Sequence, residues 1–262
     1  MDNENMQNDE NFVLPEEPEA KSGSKSKKVI IIVVIVAALF LFLLCCILPA
    51  LYIIGSVLTP KTFPVPTSDD VAYKPVIYLY PEQEIRCDVS LRLPGSFTYT
   101  YPAIEPGQNG FSDWSDLIVA PDGTIIGANG KQYYCLFWEA KFDEDVRNEL
   151  GSFDTGFCVK GSETEAFLED ALKQQGLNDR EIQEFLIFWV PKMQDSEYNL
   201  ISFPNEKYSE LVPLTVSETP DTVVRVFMTW KASDSFVDLE PQTYEAPERT
   251  GFTIVEWGGE EF

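Results

Sequence analysis

The 262-residue chain contains no histidine. That absence removes Ser-His-Asp and Cys-His nucleophile systems, imidazole metal sites and any histidine general base. Chemistry here would rest on carboxylates, tyrosine, lysine, arginine or an unassisted cysteine. Cysteine is scarce too: Cys45 and Cys46 fall inside an apolar run, and Cys87, Cys135 and Cys158 stand singly beyond it. Three is odd, so at most one internal disulfide can form there and no disulfide framework exists; no CxxC pair suggests zinc. Neither a metal nor a cofactor is expected. Positive charge is the third shortage, with 19 Lys and Arg against 43 Asp and Glu. The stretch before Val29 holds seven of the acids and four of the lysines, which leaves 36 acidic and 15 basic residues after it, a net charge of −21. Such a surface repels phosphate backbones and anionic headgroups, so nucleic acid is excluded as a partner. The acidity reads first as solubility and second as divalent-cation binding.

Charge is missing altogether from Val29 to Pro60, and the run VIIIVVIVAALFLFLLCCIL alone gives twenty apolar positions. At about 1.5 Å per residue they make about 30 Å of helix, enough to cross a bilayer. A transmembrane helix is therefore expected over 29–58, with Pro49 and Gly55 marking a kink or the far interface and Tyr52 at headgroup level. The run is too long for the 7–15 residues typical of a signal-peptide core, which favours an uncleaved anchor. Lys21, Lys25, Lys27 and Lys28 precede it, whereas Lys61 and then Asp69 and Asp70 follow. By the positive-inside rule the N-terminus is cytoplasmic and the larger part extracellular, as in a single-pass protein of the cell membrane. Residues 1–28 are polar and Pro-punctuated and read as disordered. Residues 59–72 read as a Pro-rich spacer.

Residues 73–262 read as one α+β domain, a mainly antiparallel sheet or sandwich with an inserted helix pair. PVIYLY is a short strand, and Ile85–Leu93 alternates apolar and polar residues as a half-buried strand does. Phe97–Tyr101 is a third. LIVAPDGTII and Asn129-Gly130 mark a meander, whose last strand, Tyr133–Trp138, is apolar on both faces and expected to be central and covered on both sides. Ser162 with Glu165 signals a capping box for one helix ending at Gly176. Asn178 with Glu181 signals another, with Ile182, Phe185, Leu186 and Trp189 as its buried stripe and Pro191 as its stop. NLISF, PLTV, TVVRVFMTW and GFTIVEW resume the strands.

KPVIYLYPE, YCLFWEA, FWVPKMQ followed by YNLISF, RVFMTW and VEWGG occur in that order. In these segments the chain resembles the KPVIYLYP-type proteins of bacteria and fungi. The resemblance implies one domain from about Tyr73 to Phe262 to which the anchor is an addition, and it carries no activity with it.

Three charged residues stand among apolar neighbours: Glu139, Arg225 and Glu256. An ion out of water costs several kcal/mol unless paired. They are expected to face one another or a polar cleft, either as an internal Arg–carboxylate bridge or as two carboxylates able to act as acid and base. Gln194, Asp195, Tyr198 and Asn199 form a polar cluster at a helix–strand junction, suited to ligand binding or to tying down the turn. The tryptophans and tyrosines suggest a carbohydrate platform or, more simply, core. Cys158 reads as a buried thiol, and the DED run within Phe142–Glu149 as an acidic loop without EF-hand spacing. The first functional reading is a displayed binding or interaction module with a protein or glycan partner. The second is a carboxylate hydrolase of surface glycan using Glu139 and Glu256.

Overall fold

The computed structural model describes residues 32–38, 41 and 73–262. Residues 32–38 are helical with exposed apolar side chains. Among the described residues no helix is long and apolar enough to cross a membrane. The rest of the span expected over 29–58, the tail 1–28 and the spacer 59–72 lie outside the described residues.

Residues 73–262 fold as α+β with mostly antiparallel sheets. Strands β1 (Tyr73–Tyr80), β2 (Ile85–Leu91), β3 (Gly95–Tyr101), β4 (Glu105–Pro106), β5 (Ser112–Val119), β6 (Ile125–Ile126) and β7 (Gln132–Tyr133) come first. Next are β8 (Leu136–Phe142), helix α1 (Glu144–Leu150), β9 (Phe157–Lys160), α2 (Thr164–Gln174) and α3 (Asp179–Met193). Then follow β10 (Tyr198–Ser202), α4 (Asn205–Leu211), β11 (Leu214–Val216), β12 (Thr222–Ser233) and β13 (Thr253–Glu261). One sheet has the order β3-β8-β1-β13-β12-β10-β9; the other runs β11-β2-β5-β6-β7, with β4 beside β5. Within the described sheets β12 and β13 are the one parallel pair.

Two cores share the larger sheet. On one face Ile77, Leu79, Trp138, Phe227 and Ile254 pack with Val89, Trp114 and Leu117 of the smaller sheet. On the other, Val76, Tyr78, Val226, Val255 and Trp257 pack under Leu172, Phe185, Trp189 and Met193 of α2 and α3. The larger sheet is thus the middle layer, which is why β13 is buried on both faces from Thr253 to Glu260. Each fully buried large side chain contributes about 1.5–3 kcal/mol, so the four sealed tryptophans Trp138, Trp189, Trp230 and Trp257 anchor both cores.

Several local expectations change. The meander divides between the sheets: β7 ends the smaller one and β8 enters the larger. β8 is next to the edge strand β3 rather than central, and only its Leu136, Trp138, Ala140 and Phe142 face is sealed. Helix α3 runs through Pro191 to Met193. The amide that Pro191 lacks would have bonded the carbonyl of Ile187, an exposed residue whose carbonyl water can satisfy. Ser162 lies in a 3-10 turn, Gly161–Glu163, and α2 starts at Thr164 with no side-chain cap; Thr164 Oγ1 instead donates to the Lys160 carbonyl at 3.1 Å. The second capping box, Asn178 with Glu181, forms as read. The DED run is helical: Asp143 is the N-cap of α1, with Glu144 and Asp145 in its first turn, where the helix dipole favours acids.

Candidate binding surface

Strand alternation decides where the three isolated charges go. Arg225 and Glu256 are register partners on β12 and β13 and point toward the smaller sheet. Arg225 Nε donates to Glu256 Oε2 at 2.7 Å, and Nη1 donates to the Val212 carbonyl at 2.7 Å. Trp138 Nε1 donates to Glu256 Oε1 at 3.1 Å, and the guanidinium lies 4.6 Å above the Tyr208 ring. Burial alone would lower the Arg225 pKa; the Glu256 carboxylate, through its charge and its hydrogen bond, outweighs it and holds the guanidinium above its ordinary value. The pair is an internal bridge.

Glu139 follows Trp138 on β8 and therefore points to the opposite face of the sheet. Glu139 and Glu256 are divided by the strand layer, do not face one gap, and cannot act as an acid–base pair across one bond. The junction cluster is divided as well. Asn199 is sealed, its Nδ2 donating to Thr164 Oγ1 and to the Met193 carbonyl, both at 2.9 Å, so it ties the turn after α3. Gln194 and Asp195 are exposed, and Tyr198 is half-buried edge-on to Phe236 at 6.1 Å.

A different constellation gathers on the face that Glu139 occupies. It begins with an irregularity in β1. The register with β13 shifts between Tyr73 and Val76, and Lys74 sits at φ 54, a region costly for a side-chain-bearing residue. Pro75 supplies no amide to the ladder and packs where a side chain on Gly258 would stand. The bulge carries the Lys74 ammonium over the helix-side face, 5.1 Å from the Phe188 ring and 5.3 Å from Trp257. Burial lowers its pKa, with the Glu184 charge opposing.

Beside Lys74 one side of α3 presents Arg180, Glu184, Phe188 and Lys192 at steps of four. Tyr78 donates to Glu184 Oε2 at 2.6 Å, and Arg180 Nε donates to Oε1 at 3.1 Å. Arg180 lies 5.3 Å above the Tyr134 ring, and Lys192 lies 4.7 Å above Phe188. Burial, then the hydrogen bond to Glu184, raises the Tyr78 pKa, and burial raises the Cys135 thiol to about 11. Both stay protonated at neutral pH.

Outward from α3 the sheet continues uncovered through β8 and β3. Tyr99 pairs with Glu139 across the two strands, its ring 5.9 Å from Phe137. Tyr101 lies opposite Phe137 at the end of β3. Tyr99, Tyr101 and Tyr134 are 55 %, 52 % and 55 % exposed, whereas Trp138, Trp189, Trp230 and Trp257 are sealed; the Tyr101 ring stands edge-on to Tyr133 at 5.4 Å. Glu139 is half-buried, and burial raises its pKa against a hydrogen bond from the Lys74 amide. The shoulder is thus an aromatic shelf with one carboxyl in its floor and cations along its α3 side.

Sequence reasoning read most of the aromatic residues as core, with a carbohydrate platform as the alternative, and singled out none of these tyrosines. The available signal was TYTY in β3, where threonines alternate with tyrosines and neither face carries the aliphatic side chains of a sealed strand. Of the expected site residues only Glu139 belongs to the shelf. Compared with family models, curated proteins and solved structures, the chain matches none.

Proposed function

We propose that residues 73–262 are a binding module and that the tyrosine shelf of β3 and β8 is its contact surface, with a glycan as ligand. The reading rests on one observation: Tyr99 and Tyr134, each 55 % exposed, stand on an uncovered sheet shoulder next to a carboxyl and several cations, with Tyr101 at its edge against Tyr133. Large exposed aromatic surface costs free energy in water unless a partner covers it. Tyrosine offers a flat apolar ring and a hydroxyl together, which suits the C–H faces and hydroxyls of a sugar. The segments that carry the KPVIYLYP-type resemblance support the same place, since they supply Lys74, Tyr78, Tyr134, Glu139, Phe188 and Trp257. In this proposal the run Val29–Leu58 is a single-pass transmembrane anchor that displays the module outside the cell, supported by its length without charge and by the four lysines before it. The hydrolase alternative loses its acid–base pair in Glu139 and Glu256.

The test is an oligosaccharide array probed with the full chain in detergent, beside Tyr99→Ala and Tyr134→Ala. Binding should appear and fall at least tenfold in each variant, about 1.4 kcal/mol or more. Binding that survives both substitutions would sink the assignment.

A further inference from the structure

We infer that the shelf selects glycans bearing anionic groups, carboxylate or sulfate, and that Lys74, Lys192 and Lys141 are the residues that select them. This rests on the glycan reading above and goes on to name the ligand class. The domain as a whole argues against an anionic ligand, so the local distribution of charge has to decide. Lys74 and Lys192 both approach the Phe188 ring, at 5.1 and 4.7 Å. Lys141 lies two residues beyond Glu139 on the same outward face of β8 and is exposed. None of the three lysines has a carboxylate within ion-pair distance among the described residues. The acids that share the face are few and engaged: Glu184 takes Arg180 and Tyr78, and Glu139 is half-buried in the floor beside the Lys74 amide.

Three ammonium groups with no ion-pair partner among the described residues, Lys74 with the Glu184 charge nearby, therefore border an aromatic surface in a chain whose described part is strongly acidic. Charges more than about 8 Å from the ligand are screened at physiological salt, so these neighbours outweigh the distant carboxylates. Lys74 is fixed for the task by its bulge and by two rings, which lowers the entropy lost when it meets an anion. A glycan chain running from Tyr99 toward Tyr134 would present a carboxylate or sulfate toward this row, while its hydroxyls meet Glu139.

The test uses three polymers with one backbone: dextran, carboxymethyl-dextran and dextran sulfate, titrated against the full chain in detergent, together with the array above. Both anionic polymers should bind at least tenfold tighter than dextran, with affinity falling as salt rises. The double variant Lys74→Gln, Lys192→Gln should lose that advantage while keeping the array's neutral binders, and Tyr99→Ala should weaken all of them. Equal binding of dextran and its charged forms, or anionic binding untouched by the lysine variant, overturns the selectivity and leaves the shelf standing. No binding to any polymer or any member of the array overturns both readings. Circular dichroism of each variant separates a lost contact from a lost fold.

Discussion

Arg225 and Glu256 stand opposite each other on the parallel strands β12 and β13, with Nη2 of one 2.6 Å from Oε2 of the other and the side chains 7 % and 1 % exposed. A charge pair this deep is held in place by the cost of separating it. Removing one member of a buried pair leaves the other uncompensated, at about 3–5 kcal/mol. Glu256→Gln should therefore lower stability by about 3 kcal/mol in urea unfolding of the purified chain. Replacing both residues by leucine should cost less than Glu256→Gln alone, since no ion is then left in the core. A double variant less stable than Glu256→Gln would show that the bridge contributes net stability.

The bridge also shows what the sequence could and could not reveal. Arginine and glutamate each stood alone in an apolar strand, and the cost of burying an ion made a partner predictable. Which carboxylate would answer was not, because it depends on which strands become neighbours. Glu139 and Glu256 looked equivalent until Trp138, one residue earlier, was placed in the core and sent Glu139 to the other face. The alternation of β2, the Asn178–Glu181 cap and the Gly176 helix end were legible because each is written within a few residues. The short helices α1 and α4 carry too little apolar periodicity to stand out at seven residues each. The tyrosine shelf depends on where α3 stops covering the sheet, which no local pattern encodes.

The segment between β12 and β13 is almost without regular structure and is tied to α3 through Arg249, which donates to Glu181 and to the Gly176 carbonyl. Glu181 is sealed and also accepts from the Asn178 amide at 2.8 Å. Asn178→Ala removes a cap and should cost about 1 kcal/mol. Arg249→Ala strands a buried carboxylate and should cost more than Asn178→Ala. Limited proteolysis should then cut between 234 and 252 faster in the Arg249 variant than in the Asn178 variant. Equal rates would mean that Gln242, which bonds both the amide and the carbonyl of Phe203, is the stronger tie.

Alkali should weaken the fold earlier than acid-stable surface charge alone would suggest. Burial raises the Cys87 and Cys135 thiols from 9.0 to about 11 and holds Tyr78, Tyr80, Tyr208 and Tyr244 above 10.0. An acid whose folded pKa lies above its unfolded one binds its proton more tightly in the fold. Its contribution is complete below the unfolded value and is lost as pH rises toward the folded value. The urea midpoint should thus fall between pH 9 and 11. In the same window Cys158, half-buried with its Sγ accepting from the Val237 amide at 3.3 Å, should react with a thiol reagent before Cys87 and Cys135. A flat midpoint across the window would show that the thiols and phenols ionise without opening the core.

The membrane proposal makes the most accessible prediction. If the run from Val29 to Leu58 spans the bilayer with Lys21, Lys25, Lys27 and Lys28 held in the cytosol, protease added to intact cells should digest an epitope placed after Phe262 and spare one placed before Met1. Changing all four lysines to glutamine removes the positive charges next to the helix while leaving its length and hydropathy unchanged. Insertion should persist, because twenty apolar residues drive it, and the protected fraction of the C-terminal epitope should rise, because the orientation bias is gone. Full protection of that epitope in the unaltered chain would place the shelf in the cytosol, out of reach of extracellular glycans. Extraction of the unaltered chain by alkaline carbonate without detergent would remove the anchor itself.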